Sequence, residues 1–262
     1  MTEEDFACLK RRFLRYVRGF RMETPEEQRN IGLKRAHTLR VCRDIGLIAR
    51  GEGISGDDAL LARAAALLHD AGRFPQYAKF RTFNDVASVN HGLLGAEAIR
   101  DAQLLEGCFS FSRQEKSLII RAVKYHNALS LPRLDKRSVL LLKLVRDADK
   151  LDIWRVFIEY FGREKKDRPT AAGQDLPEGR GISPAALRGV LENRGIRLAE
   201  VKNLNDYKLL LLSWVFGINF GAAFRLVKRR RLFERLAATL PRGQAAEKAV
   251  NHLEKFIRLK SF

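Results

Sequence analysis

The sequence predicts an all-α fold on three observations: apolar residues recur at steps of three and four along most of the chain, strand-like alternation is nearly absent, and helix-start signatures stand where the periodic runs begin. From Asp5 to Phe20, the residues Phe6, Leu9, Phe13, Val17 and Phe20 form one stripe of an amphipathic helix. Thr24-Pro25-Glu26-Glu27 then supplies an N-cap, a proline at the first helical position and a capping-box glutamate, so a long second helix should run to about Arg50. The stretch Gly51-Glu52-Gly53-Ile54-Ser55-Gly56 spells GxGxxG, but a helix precedes it and Asp57-Asp58 follows, where a dinucleotide site needs a strand before and no acids after. It reads as a helix stop followed by a helix start.

Further helices are expected over Asp58 to Asp70, His91 to Leu104, Arg113 to Tyr125 and Arg137 to Phe161, with Phe74-Pro75-Gln76-Tyr77 as a loop that walls a pocket. Residues 163–184 are rich in charge, Pro and Gly without a period and read as an exposed loop. Ser183-Pro184 restarts a short helix, Asn203 or Asn205 opens a long apolar helix carrying Trp214 and Phe216, and Gln244 to Lys260 closes the chain. The expected organisation is a helical core with its N-terminal helix over 1–162, the loop 163–184, and a basic helical C-terminal extension over 185–262 packed on the core.

Composition narrows the class. An apolar fraction of 46% suffices for a real core. Three dispersed cysteines, Cys8, Cys42 and Cys108, suggest neither a disulfide framework nor a zinc knuckle. The acidic start Met1-Thr2-Glu3-Glu4-Asp5 lacks the basic and apolar regions of a secretory signal, so the expected compartment is cytoplasmic. Leu209 to Phe224 carries no charge, yet it is short for a span and holds Ser213, Asn219 and two glycines, so a buried helix is expected and no membrane partner. The net charge is +18. Lys202 to Phe262 carries thirteen Lys or Arg against four Asp or Glu, which puts half of that charge in the tail, including the run Lys228-Arg229-Arg230-Arg231. A solvated basic face accounts for it; nucleic-acid binding is the weaker expectation, because no aromatic-rich or zinc-finger pattern accompanies the charge.

Four of the five histidines form an ordered series with aspartates: His37, the pair His69 and Asp70, His91, His126 and Asp149. Asp70 ends a run, Leu61 to Leu68, that reads as a buried helix, and an unpaired carboxylate there would cost several kcal/mol. His37 shares a stripe with Leu33, Val41, Ile45 and Ile48; His126 with Ile119, Ala122 and Val123; and His91 begins a helix above Leu94, Gly95 and Ala98. Each alone is an ordinary core histidine. Four inward-facing imidazoles and a buried carboxylate on separate helices are hard to satisfy one by one, whereas a shared borderline divalent ion such as Mn, Fe, Zn or Ni would satisfy all of them.

The series resembles the HD-domain superfamily of metal-dependent phosphohydrolases, through Ala36-His37-Thr38-Leu39-Arg40-Val41, the doublet in Leu67-Leu68-His69-Asp70-Ala71-Gly72-Arg73, and Asp147-Ala148-Asp149-Lys150-Leu151-Asp152, over about Ile31 to Phe157. The resemblance implies an all-α HD core with a helical C-terminal extension. It also implies one divalent ion on His37, His69, Asp70 and Asp149, or two when His91 and His126 join and Asp70 bridges, drawn from Mn, Fe, Mg, Ni or Zn. It places the last ligand at Asp149. Periodicity leans toward Asp149, on one face with Leu142, Val145, Ile153 and Val156, but leaves Asp147 open, since Leu140, Leu144, Asp147 and Leu151 make a second apolar stripe. The implied activity is hydrolysis of a phosphoester, in a nucleotide or other small phosphorylated substrate, by metal-activated water, with Asp70, Arg73 and Lys150 as catalytic candidates. Arg73 suits a phosphate because its forked donors match it. The alternative is an HD-fold sensor without turnover that recruits nucleic acid or an anionic partner through the basic tail. No GxSxG elbow, GxxxxGK[ST] loop or HExxH pair offers a competing chemistry.

Overall fold

A computed structural model describes residues 2–107, 111–164, 168–169 and 176–260. Among the described residues, regular structure is helical throughout: α1 (Glu3–Arg18), α2 (Pro25–Gly51), α3 (Gly56–Leu68), α4 (Arg73–Phe80), α5 (His91–Asp101), α6 (Arg113–Tyr125), α7 (Lys136–Phe161), α8 (Pro184–Leu191), α9 (Leu204–Ser213), α10 (Gly221–Arg229), α11 (Leu232–Ala237) and α12 (Gln244–Lys260). The all-α reading therefore holds. Two compact units divide after Asp152, within α7.

In the first unit, α3 is the central element. Leu61, Ala62, Ala64, Ala65, Ala66, Leu67 and Leu68 are all buried, and a helix apolar on nearly every side needs neighbours on every side. It finds them in α1, α2 and α6, while α5 packs on α4 and α6. The stripe Phe6, Leu9, Phe13 and Val17 is the buried face of α1. Thr2, Thr24 and Ser112 each close a capping box, and Asn90 caps α5 by accepting from Leu93 N. The GxGxxG stretch ends α2 and begins α3, with Gly53 and Gly56 at φ of 70° and 58°, the left-handed region where a Cβ is disfavoured.

One close approach fixes the geometry around the histidines. A Cβ on Gly72 would run into the carbonyl of His91 and the backbone of Gly95, so the turn after α3 and the start of α5 meet backbone to backbone. Gly95 in turn lies under Val123 of α6. Two missing side chains thus let three helix ends converge.

Some expectations need correction. Phe74-Pro75-Gln76-Tyr77 is not a loop but part of α4. Pro75 is third in that helix, where the N–H has no intrahelical acceptor to lose. The long apolar helix after Asn203 is broken into α9, a 3-10 turn at Trp214–Gly217, and α10. No helix among the described residues is long and apolar enough to cross a membrane. Cys42 is a free thiol, but Cys8 takes part in a disulfide, which the dispersed cysteines did not suggest. Of the predicted loop 163–184, residues 165–167 and 170–175 lie outside the described residues, as does Cys108.

In the second unit, Asn203 caps α9 through Asn205 N and Asp206 N, and the buried Asp206 accepts from Ser183 N and Lys202 N. Trp154, fully buried, donates its indole N–H to the Leu211 carbonyl. The run Lys228 to Arg231 closes α10, with Arg231 in the left-handed region at φ 53°.

Candidate metal centre

Five helices deliver one residue or more to a common point. His37 projects from the middle of α2, His69 and Asp70 follow the last turn of α3, and His91 opens α5. His126 caps the end of α6 and Asp149 lies on α7. Asp70 is at the centre. Its Oδ2 lies 3.5 Å from His37 Nε2 and 3.7 Å from His69 Nε2, and its Oδ1 lies 3.5 Å from His91 Nε2 and 3.9 Å from His126 Nε2. The two oxygens thus face two different pairs of imidazoles. Asp149 Oδ1 joins the first pair, 3.1 Å from His37 Nε2 and 3.6 Å from His69 Nε2. Asp147 is fully buried two residues earlier, about 200° around the helix by its 3.6-residue turn, so Asp149 is the carboxylate that stands at the imidazoles.

Every ring is held from behind by its other nitrogen. His69 Nδ1 donates to the Ala66 carbonyl and His126 Nδ1 to the Val123 carbonyl, each at 2.7 Å. His37 Nδ1 donates to Asp152 at 2.7 Å and His91 Nδ1 to Asp85 at 2.6 Å. A carbonyl oxygen can only accept, so the proton on His69 and His126 is fixed at Nδ1 and the Nε2 of the neutral ring is a bare lone pair aimed inward. Asp152 is itself clamped by Arg40, whose Nε and Nη2 donate to its two oxygens at 2.6 and 2.8 Å. Asp85 also accepts from Arg73, Gln76 and Asn127.

The electrostatics divide along the same line. Burial opposes ionisation of Asp70, but Lys34, His69, Arg73 and His91 outweigh it and hold the carboxyl well below its usual range. Asp149 is likewise held well below the usual range, its burial overcome by the neighbouring His37 and His69. Burial pushes His91 down to about 4, helped by Arg73, and pushes His126 down to about 3, helped by His91 and His69. These two rings are neutral at pH 7. His37 goes the other way, to about 9: burial disfavours its cation, and Asp149 and Asp152 prevail over it.

The catalytic candidates sit at the edge of this cluster. Arg73 begins α4 with Nε 3.6 Å from Asp70 Oδ1, while its Nη1 is taken up by Gln76 Oε1, the Phe83 carbonyl and Asp85 Oδ1. Lys150 follows Asp149 on α7, where burial lowers it to about 8 against the pull of Asp147.

Three residues close to the centre carry no signal in the sequence pattern or only a faint one. Asp85 lies in an irregular segment between α4 and α5 with no period to mark it. Asp152 stands one turn beyond Asp149 and looks like another surface acid of α7. Lys34, one turn before His37, places its Nζ 2.9 Å from Asp70 Oδ2, and the spacing of three from His37 is the one clue to it.

The donors suit a divalent ion. The buried Nε2 atoms of His37 and His69 have no hydrogen-bond partner, and imidazole nitrogens with ionised carboxylates are the set that borderline metals take. Three groups bring ligand atoms within 4.8 Å of one another: His37, His69 and Asp70; His69, His126 and Asp149; and Asp70, His91 and His126. Lys34 shows the demand directly, since its ammonium already lies against Asp70. In the comparison with protein families, the HD domain model matches residues 35–154. No curated protein and no solved structure matches the chain.

Proposed function

Starting from the HD domain at residues 35–154, we propose that the chain is a metal-dependent phosphohydrolase that cleaves a phosphoester of a nucleotide or another small phosphorylated molecule. The observation that carries this reading is the orientation of the four rings: each spends Nδ1 on an outer acceptor and turns Nε2 toward Asp70. Such outer hydrogen bonds fix the tautomer and the basicity of a ligating imidazole.

His37, His69, Asp70 and Asp149 would hold one ion, and His91, His126 and the other oxygen of Asp70 a second. Bound there, a divalent ion supplies Lewis acidity, polarising a phosphoryl oxygen and making an attacking water more acidic. The chain's own residues do the rest. Asp85 and Asp152 keep His91 and His37 in the required tautomer. Arg73, anchored through Nη1, presents a fixed positive charge beside Asp70, where an anionic phosphoryl group gains from it. The buried walls limit access of bulk water and strengthen these fields.

Elemental analysis of the purified chain, followed by phosphate release from a panel of nucleotides and sugar phosphates, tests the reading. Wild type should carry Mn, Fe, Mg, Ni or Zn and release phosphate from at least one substrate, and Asp70→Ala should lose both. Equal and negligible metal in the two proteins under replete conditions would overturn it in favour of a sensor or scaffold.

A further inference from the structure

We propose that Lys34 is a phosphate-holding residue, bound to Asp70 in the metal-free chain and turned toward the substrate's phosphoryl group once a cation takes its place. Resting on the metal-centre reading above, this goes beyond it by assigning a substrate contact to a residue one position outside the matched family segment, which begins at residue 35.

Lys34 Nζ lies 2.9 Å from Asp70 Oδ2, the oxygen that His37 Nε2 and His69 Nε2 also face at 3.5 and 3.7 Å. An ion held by those two imidazoles and that oxygen would compete with the ammonium for the same lone pairs. Two cations do not share one carboxylate oxygen in a buried setting without strong mutual repulsion. An ion there would also bind the Nε2 atoms of His37 and His69, which an ammonium cannot, so the ammonium is the one displaced.

Its route is open. The Lys34 side chain is 15% exposed, whereas those of His37 and His69 are 3% and 0% exposed, so Lys34 stands at the rim of the cluster. Its Nζ is 5.3 Å from the centroid of the Phe83 ring, a face that stabilises an ammonium without supplying a competing anion. A four-carbon stem lets the charge swing while its base stays on α2. Arg73 has no such freedom, because its Nη1 is tied to Gln76, Phe83 and Asp85. A phosphoryl group beside Asp70 would therefore meet one fixed cation and one that closes on it.

The test uses Mn²⁺ and inorganic phosphate as probes, with titration calorimetry on the full chain as wild type, Lys34→Met and Lys34→Arg, each checked by circular dichroism for an unchanged melting profile. Lys34→Met should take up Mn²⁺ at least as tightly as wild type, since a competing cation is gone. Its Mn²⁺-loaded form should bind phosphate about 10- to 100-fold more weakly, the range of a lost charge-assisted hydrogen bond. Lys34→Arg should restore most of that affinity. Unchanged phosphate binding in Lys34→Met overturns the proposal, and so does a joint loss of Mn²⁺ and phosphate, which would make Lys34 part of the scaffold. Failure of wild type to take up Mn²⁺ sinks the metal-centre reading itself, and the role of Lys34 with it.

Discussion

The Nε2 atoms of His91 and His126 stand 2.9 Å apart, although each ring has already given its Nδ1 proton to an outer acceptor, Asp85 for one and the Val123 carbonyl for the other. With both rings neutral, two lone pairs face each other, an arrangement relieved by an electrophile beside them. Removing one ring should therefore remove one half of the centre. His126→Ala should bind about one ion per chain where wild type binds about two, counted by mass spectrometry of the metal, and Asp70→Ala should bind neither. Saturating metal should also raise the melting temperature, by an amount equivalent to about 2.7 kcal/mol at one hundred times Kd.

Asp85 gathers Arg73 Nη1 at 2.7 Å, Gln76 Nε2 at 3.0 Å, His91 Nδ1 at 2.6 Å and Asn127 Nδ2 at 3.1 Å. Asp85→Asn keeps the shape but removes the charge that fixes the His91 tautomer. Affinity for the ion on the His91 side should drop about 10- to 100-fold, while the His37 side holds. Nitrogen NMR of labelled histidine should show His91 populating the Nε2–H form in the variant. A single unshifted Nδ1–H signal would count against this role.

Gly72→Ala should be among the most disruptive single methyl additions in the chain. The added Cβ meets backbone on α5, which cannot rotate away as a side chain could. The cost should exceed about 2 kcal/mol, read as a lower urea midpoint, and metal uptake should suffer with it because the doublet His69-Asp70 is displaced from His91. A fully stable Gly72→Ala would mean that α4 and α5 can separate freely.

Tyr16 of α1 donates to the carbonyl of Ala71, the residue after Asp70, at 3.0 Å, and packs edge-on against Phe74. Burial raises its phenol above the usual range, so it remains a donor throughout the working pH range. Tyr16→Phe should cost about 1 kcal/mol by thermal or urea unfolding. It should also loosen metal binding slightly. No change in either would make the contact incidental.

Cys42 gives the clearest dependence on pH. Burial pushes its thiol up to about 12, against the smaller opposing pull of Arg63 and Lys10. The thiolate is the reactive form, and at pH 8.5 the folded chain holds almost none of it, where an ordinary cysteine is about half ionised. Alkylation by iodoacetamide at that pH should be more than about a hundredfold slower in the folded chain than in urea, and should accelerate as pH rises toward 12. Rapid native labelling at Cys42 at that pH would contradict the raised thiol.

Much of the fold is legible wherever periodicity and capping agree. The boundaries of α6, from Arg113 to Tyr125, coincide with those expected from its periodicity. Legibility ends where a helix has no polar face. Leu209 to Phe224 lacks charge on any side, so no stripe tells where the backbone turns, and it turns after Ser213, through the 3-10 turn Trp214–Gly217, before α10 opens at Gly221. Pro75 misleads for a different reason: a proline marks a loop in most settings but costs nothing in a first turn. At the site, inward stripes place His37 and His126 on core-facing sides without naming their neighbours. Asp85 could not be read at all, because its partners come from α4, α5 and the segment after α6, and distance along the chain hides such a junction. Lys34 could have been found by asking which cation shares a face with His37.

Because the two oxygens of Asp70 serve opposite halves, damage to the centre is not symmetrical. Loss of His91 or His126 would leave His37, His69 and Asp149 around the same anion, a simpler site for a single ion. Loss of Asp70 dismantles both halves together. On the proposed reading, a chain built this way would bear trimming from the α5 and α6 side and keep a place for one ion, but no such place would survive without that one carboxylate.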